Sequence, residues 1–232
     1  MPRAIAIETS GRAGSIALAA EGKLLVEESF AHGLAHAAGV LPMIDRLVRV
    51  QGWSPEDLEQ VYLSIGPGSF TGLRIAVTIA KALAFSLGVK VVAVPTVRVL
   101  IENAPQEAQR GIIVLDAKRG QVFTAAFERS GINQPWRELE APQVDTLENI
   151  IGRLVKPVHL IGEGITYHRQ CIPKTPDVVV TEPDRWRARA AVVARIGAEM
   201  AGRGEFADPW TLQPLYIRLP EAEEKWRKTH GQ

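Results

Sequence analysis

Short apolar runs separated by polar turns open the chain. Residues 4–7 form an apolar run typical of a buried strand, residues 15–20 are predicted as the next strand, and residues 23–29 as a third strand. The turns between them contain glycine, as expected for β-hairpins. This pattern predicts a three-stranded meander at the start of the protein.

A helical period follows the meander. Between residues 34 and 50, apolar residues recur at steps of three and four, which predicts an amphipathic helix. Residues 61–65 form a further strand, and a glycine-rich loop over residues 66–72 leads into a second helical pattern at 73–87. Residues 89–94 then return as a strand.

The opening pattern recurs in the second half of the chain. Residues 111–115 form an apolar strand ending in Asp116, and a turn with glycine leads to a strand at 121–127. The first strand likewise ends in an acid, Glu8, and returns after a glycine turn. The copies lie about a hundred residues apart, which predicts two related lobes.

Alternating strands and helices indicate an α/β protein, and the meander that opens each lobe indicates mixed sheets rather than a Rossmann sheet. We expect an N-terminal lobe over residues 1–103 and a C-terminal lobe with a tail over residues 104–232. The remaining elements predicted for the second lobe are helices near 146–155 and 188–202 and strands at 157–161 and 178–180.

Composition and charge exclude several classes of protein. The chain has 232 residues, of which 46% are hydrophobic, enough for a sizeable core. Its net charge of +1 lacks the basic excess of proteins that hold nucleic acid alone, so we expect RNA to be held through a partner. A single cysteine, Cys171, excludes an internal disulfide. We find no run of signal-peptide or membrane-span length and expect a cytoplasmic protein.

The loop over residues 66–72 is the most distinctive segment. It joins a strand end to a helix N-terminus, where free backbone N–H groups and the helix dipole suit an anion. A tight turn that caps the helix explains the same residues equally well, and the Lys-Ser/Thr pair of a Walker loop is missing. The candidate anion- or nucleotide-binding residues are Thr9, Ser10, Gly66, Gly68, Ser69, Thr71 and Gly72.

Several polar residues have a functional and a structural interpretation. Glu8 and Asp116 could bind metal or act as acid and base across a cleft, but we favour turn acids bonded to backbone N–H groups. His32 and His36 have the H-x-x-x-H spacing of a zinc site without an evident third ligand. Trp186 lies between two arginines, which resembles a small basic–aromatic patch, although a solvated loop is favoured.

The helix at 73–87 carries alanines at four-residue steps, namely Ala76, Ala80 and Ala84, beside a stripe of larger apolar residues. Such a stripe lets another helix pack closely. Core packing within the lobe and a surface for a partner both remain open as interpretations.

Five segments, taken in order, form a pattern over nearly the whole chain. They are IAIETSGRAGSIALA (5–19), HAAGVLPMIDRLV (36–48), SIGPGSFTGLRIAVTIAKALAFSLGVKVVAVPT (64–96), LDAKRGQVFTAAF (115–127) and PLYIRLPEAEEKW (214–226). The GPGSFTGLR block is the most specific of them. Together these segments resemble the bacterial TsaB family, also called YeaZ.

The resemblance implies two tandem actin-like lobes of the ASKHA, RNase H-like type. It implies an assembly with TsaD-, TsaE- and TsaC-type proteins that transfers a threonylcarbamoyl group to the adenosine beside the tRNA anticodon. In that assembly a TsaD-like subunit is the catalyst, a TsaE-like ATPase is a further partner, and tRNA is reached only through the complex. The resemblance implies no intrinsic cofactor, with ATP or ADP expected at most at the partner interface.

The same resemblance places the partner interface on the first two helices, 34–50 and 73–87. That surface would also form a homodimer when the partner is absent. The residues expected at the interface are Leu34, Leu41, Ile44, Val48, Ile75, Ala76, Ile79, Ala80, Leu83 and Ala84.

TsaD-like relatives hold a metal with an H-x-x-x-H motif that follows the glycine-rich helix and the next strand. The matching stretch here, residues 95–102, contains no histidine. The resemblance is therefore to a paralogue without catalytic or metal-binding residues. Two other hypotheses remain: a nucleotide-dependent phosphotransferase using Glu8, Asp116 and the glycine-rich loop, and, less favoured, a metalloprotease of the M22 glycoprotease type.

Overall fold

The computed structural model describes residues 2–31 and 36–218, folded as two lobes that each contain a five-stranded sheet. The first sheet comprises β1 (Arg3–Glu8), β2 (Ala13–Ala20), β3 (Lys23–Ala31), β4 (Gln60–Ser64) and β5 (Lys90–Val94). The second comprises β6 (Arg110–Asp116), β7 (Val122–Glu128), β8 (Arg137–Asp145), β9 (Val158–Ile161) and β10 (Val178–Val180). The helices are α1 (His36–Val50), α2 (Phe70–Leu87), α3 (Thr96–Ile101), α4 (Leu147–Arg153), α5 (Ile165–His168) and α6 (Ala190–Gly202).

The two sheets have the same topology. Their strand orders are β3-β2-β1-β4-β5 and β8-β7-β6-β9-β10, so each places its first strand at the centre. In each sheet the first three strands form an antiparallel meander, and the last two run parallel to the central strand. The predicted mixed sheets and the predicted internal repeat are therefore confirmed.

Side chains of β1 alternate between two packed faces. Ile5 and Ile7 point to the face covered by α1 and α2, whereas Ala4 and Ala6 point to the opposite face. The length and composition of α2 would suffice for a membrane span. However, its Ala76 and Ala80 are fully buried against the sheet, as in the core helix of a globular lobe.

The helix α6 packs on the first sheet, although it follows the second sheet in the chain. Val193 and Met200 share a core cluster with Tyr62 of β4. Close packing is achieved because Gly197 presents no side chain, and a Cβ there would lie 2.5 Å from Cγ of Tyr62. The segment predicted as the C-terminal lobe, residues 104–232, thus includes a helix that packs on the first sheet.

Several elements differ from the sequence-based expectation, among them β8 and α3. The strand β8 was not predicted, because it is a largely exposed edge strand with charged residues and Pro142. The short helix α3 was not predicted either, since its TVRVLI sequence is rich in β-branched residues. Its Val97, Leu100 and Ile101 pack against the second sheet and so tie the connection between the lobes to the core.

Candidate functional site between the lobes

The glycine-rich loop packs against the turn that follows β1. The backbone N–H of Ser69 donates to the carbonyl of Ser10 at 2.7 Å, and the hydroxyl of Thr9 donates to the carbonyl of Gly72 at 2.8 Å. The side chain of Ser69 caps α2 by accepting from the N–H of Gly72 at 3.3 Å. These donors are thus engaged inside the protein, while Thr71 is exposed at the first turn of α2.

Backbone approach explains the glycines of this loop. A Cβ on Gly72 would lie 1.9 Å from the carbonyl oxygen of Thr9, and one on Gly68 would lie 2.5 Å from that of Ser10. Gly66 has a φ of +113°, which favours glycine, and its N–H donates to the hydroxyl of Thr96 at 3.1 Å. The seven candidate anion-binding residues therefore lie together, in contacts that fit the tight-turn interpretation.

The carboxyl group of Glu8 is sealed beneath this turn. Glu8 is fully buried, and its Oε1 accepts from both the backbone N–H and the hydroxyl of Ser10, while the hydroxyl of Ser64 donates to Oε2. Burial raises the pKa of Glu8 above its usual value, in spite of these hydrogen bonds, which lower it. The geometry is that of a turn acid.

Asp116 holds the equivalent place in the second lobe but faces the gap between the lobes. Its carboxylate accepts from the backbone N–H of Lys118 at 3.0 Å and from the Lys118 ammonium at 2.6 Å. His168 lies 3.5 Å away through Nε2. Burial alone would raise the pKa of Asp116, but the hydrogen bonds and charge of Lys118 outweigh it, so the pKa is lowered.

A cleft of about 630 Å³ separates the lobes above these two acids. The first lobe contributes the turn at residues 10–12 and the start of α2, and the second contributes the β6–β7 turn and the segment around Tyr167. The volume lies within the range of small-molecule sites. The polar lining residues include Arg12, Asp116, Lys118, Arg119, Glu163 and Arg218.

The C-terminal segment forms one wall of this cleft, which the sequence did not predict. The N–H of Leu215 donates to the carbonyl of Ile65 at 2.7 Å, and the Tyr216 ring lies 5.2 Å from that of Phe70. The Arg218 guanidinium then donates to the carbonyl of Ala117 in the second lobe at 2.6 Å. The segment expected as a tail thus connects the two lobes.

The predicted interface residues divide by burial. Leu41 is exposed, and Ile75 and Leu83 are half-buried. The others pack inside the first lobe, so within one copy of the chain they serve as core and are not open to a partner: Ile44, Val48, Ala76, Ile79, Ala80 and Ala84. Leu34 lies outside the described residues, as does His32.

The remaining candidates fall into structural roles. Trp186 is buried and donates through Nε1 to the carbonyl of Thr181 at 2.9 Å, so it does not form an exposed patch. A hydrogen bond with Glu148 raises the pKa of the Cys171 thiol, which disfavours a thiolate nucleophile. In residues 2–31 and 36–218 no group of three or more histidine, cysteine and acidic residues could hold a metal ion.

Comparisons with known proteins agree with this architecture. Residues 32–175 match the family model described as TsaD, tRNA N6-adenosine threonylcarbamoyltransferase. The tRNA threonylcarbamoyladenosine biosynthesis protein TsaB of Bacillus subtilis is 32% identical, with 96% of each chain covered. The TsaB protein of Escherichia coli is 28% identical, with 99% of each chain covered.

Among solved structures, YeaZ from Pseudomonas aeruginosa superposes with a TM-score of 0.78 at 26% identity. The match covers 93% of this chain and 100% of that one, so the predicted fold of two actin-like lobes is confirmed. Sequence and fold lead to one conclusion: the chain belongs to the TsaB (YeaZ) family, and its residues 32–175 also match the TsaD family model.

Proposed function

We propose that the chain is a non-catalytic scaffold and activator of a TsaD-like catalytic subunit. The complex would carry out N6-threonylcarbamoyladenosine modification of tRNA next to the anticodon, with a TsaE-like ATPase as a further partner. Support comes from relatives that cover nearly all of the chain and are named for the biosynthesis of this modified nucleoside. The tRNA would be reached through the complex, in the cytoplasm.

One observation carries the non-catalytic part of the proposal. The groups that a phosphotransferase of this fold would need in the first lobe are engaged within the protein: Glu8 is fully buried and bonded to Ser10 and Ser64. Loop donors such as the N–H of Ser69 bond to the same turn. This arrangement favours a structural role for the loop, which positions the start of α2.

The partner would dock on the outer face of α1 and α2. Leu41, Ile75 and Leu83 remain accessible there, and Thr78 is an exposed residue in the middle of α2. In the absence of the partner the same face would form a homodimer. ATP or ADP would bind at the border between the chain and its partner.

Paired substitutions on α2 test this proposal. Thr78→Glu places a charge on the exposed face, so we expect a folded protein that no longer co-purifies with the TsaD-like subunit or supports tRNA modification. Ala80→Glu places the same charge at a fully buried position, so we expect unfolding of the first lobe. Thr175→Glu, on the exposed surface of the second lobe, is the matched control.

Two results would contradict the proposal. The first is a Thr78→Glu protein that binds and activates the catalytic subunit as well as the Thr175→Glu control does. The second is turnover of Mg-ATP or a peptide by the purified chain alone. Calorimetric titration with ATP and ADP, with and without the catalytic subunit, locates any nucleotide.

A further inference from the structure

Basic side chains from three separate segments meet at the mouth of the cleft. Arg12 comes from the first hairpin turn, Lys118 and Arg119 from the turn of the second lobe, and Arg187 from the segment before α6. Arg218 lines the same cleft. Among the described residues, the carboxylates of Asp116 and Glu163 face this group. Leaving Arg119 and Arg218 aside, basic residues still outnumber these two carboxylates here.

Tyr167 lies at the centre of this group. The Arg12 guanidinium carbon is 5.2 Å from the centre of the Tyr167 ring, and the Lys118 ammonium is 5.3 Å from it. The Glu163 carboxylate accepts from the backbone N–H of Arg12 at 3.0 Å and lies 3.8 Å from the Arg187 guanidinium. These contacts join Arg187, Arg12, Tyr167 and Lys118 into one continuous surface, which we call the basic rim.

The two cations beside Tyr167 differ in how far they are neutralised. The Lys118 ammonium pairs with Asp116 at 2.6 Å. Within the part of the chain that the structure describes, the Arg12 guanidinium contacts the Tyr167 ring and has no carboxylate partner. The backbone also holds this turn in an uncommon conformation, with φ of +62° at Lys118 and +56° at Arg119. Such conformations cost energy and cluster at functional sites.

The solvent exposure of the rim side chains favours a polymer over a free small molecule as the ligand. The side chain of Lys118 is 78% exposed and that of Arg187 is 64% exposed, and the Tyr167 residue is 43% exposed. A pocket for a free nucleotide encloses most of its ligand, whereas cations spread over an open rim suit several phosphates in a row. Single-stranded RNA is recognised through such cations together with aromatic rings on which unstacked bases lie.

We propose that the basic rim binds a single-stranded segment of the RNA substrate, with phosphates at Arg12, Lys118 and Arg187 and one base on Tyr167. This inference rests on the proposed function, since it assumes that the chain works on tRNA within a complex. It revises one expectation: the complex still supplies most of the affinity, but this chain contributes direct contacts.

The salt dependence of RNA binding tests the proposal. Affinity of the chain and catalytic subunit together is measured for unmodified tRNA and for a short single-stranded RNA at several salt concentrations. For the double variant Arg12→Ala/Lys118→Ala we expect about tenfold weaker binding and a log–log salt slope smaller by about 1.4, from two lost phosphate contacts on single-stranded RNA. The control is Lys156→Ala. Lys156 lies just before β9, whereas the cleft is at the other end of that strand, so the affinity and the salt slope should stay unchanged.

The aromatic contact has its own signature. Tyr167→Ala should weaken RNA binding about tenfold through lost stacking without changing the salt slope. Tyr167→Phe keeps the ring and should bind like the unaltered protein. Melting temperatures of all variants, each altered at an exposed residue, verify that the fold is retained.

Three results would overturn the proposal. RNA binding by the double variant could equal that of Lys156→Ala, its salt slope could stay unchanged, or ADP could bind the rim as tightly as the RNA and displace it. Assembly with the catalytic subunit is followed in the same samples by gel filtration. If the unaltered chain failed to assemble with the catalytic subunit, the proposed function would be contradicted. RNA binding by the rim variants would then be measured with the chain alone.

Discussion

The two lobes begin with the same unit, a strand that ends in an acid followed by a turn, and place it in opposite environments. In the first lobe, Glu8 is fully buried and the loop after β4 closes over it. In the second lobe, Asp116 faces the cleft and pairs with Lys118. The loop after β9 also packs tightly, since a Cβ on Gly164 would lie 2.7 Å from the carbonyl carbon of Leu115.

The difference shows how one repeat can serve two purposes. The closed turn of the first lobe anchors α2, an eighteen-residue helix whose outer face we assign to the partner. In the second lobe the loop after β9 leads only to the four-residue helix α5, and both Lys118 of the open β6–β7 turn and Tyr167 of α5 are exposed. The equivalent turns after β1 and β6 therefore differ in role: the first is packed against α2, and the second presents charged side chains to the cleft.

The largest expected effect comes from opening the closed turn. Gly72→Ala would place a Cβ 1.9 Å from the carbonyl oxygen of Thr9, and backbone cannot move aside as a flexible side chain can. We expect a loss of more than about 3 kcal/mol in the free energy of unfolding, measured by urea denaturation. Gly120→Ala, in the open turn, meets no atom within 4 Å and has a φ of +72°, so it should cost only about 1 kcal/mol.

Equal effects of Gly72→Ala and Gly120→Ala would contradict the contrast between a closed and an open turn. They would mean that the first turn can separate from α2 at little cost. Gly72 lies within α2, where alanine normally gives a more stable helix than glycine, so the predicted loss is opposite in sign to the effect of helix propensity.

A second substitution tests whether the first lobe has helices on both faces. Gly197→Ala would place a Cβ 2.5 Å from Cγ of Tyr62, which is itself buried, so we expect about 2–3 kcal/mol of destabilisation. Gly202→Ala, in the same helix with open space around it, should be neutral or stabilising by up to about 1 kcal/mol. Hydrogen exchange should show the loss in the first sheet; a loss confined to the second sheet would place α6 with the other lobe.

Local patterns were enough to predict much of this fold. The three strands of the first meander and the first two of the second follow from residue patterns between glycine turns, and α2 follows from its helical period. The helix begins at Phe70 rather than at residue 73, because the Ser69 side chain caps it. Each of these features depends on neighbours in sequence, which periodicity and capping rules describe.

Features that depend on distant contacts were not predictable. The burial of Glu8 involves Ser64, fifty-six positions away, and the packing of α6 on Tyr62 joins two segments that lie far apart in the sequence. The basic rim likewise joins Arg12 to Tyr167. The internal repeat did predict two related lobes, but residue types alone could not tell which of the equivalent turns is closed.

The pH dependence of stability compares the two acids directly. Burial raises the pKa of Glu8 in the folded state above 4.5, so the folded protein retains a proton that the unfolded chain releases. Stability therefore falls as pH rises from 4.5 through the folded-state pKa. Glu8→Gln has no proton to release and should lack this fall, so it should gain stability relative to the unaltered protein between acidic and neutral pH.

Urea denaturation at a series of pH values measures the difference between the Glu8→Gln and unaltered proteins. A difference that stays constant across the series would show that Glu8 titrates alike in the folded and unfolded states, contrary to its burial. Ser64→Ala removes one hydrogen bond that lowers the pKa of Glu8 and should extend the fall to higher pH.

Asp116→Asn should give the smallest effect, with the opposite sign. The hydrogen bonds and charge of Lys118 hold the pKa of Asp116 below 3.8 in spite of burial, so its contribution is present at neutral pH. That contribution is lost as pH falls through the lowered folded-state pKa. Because Lys118 is mostly exposed, we expect less than about 1 kcal/mol, reduced further by salt. Repeating the substitution in a Lys118→Met background should reduce the difference, since the backbone N–H of residue 118 and His168 still contact the carboxylate. If Asp116 and Glu8 instead shifted stability in the same direction with pH, the two turns would share one environment, and the cleft would lack the open, charged side on which the basic rim depends.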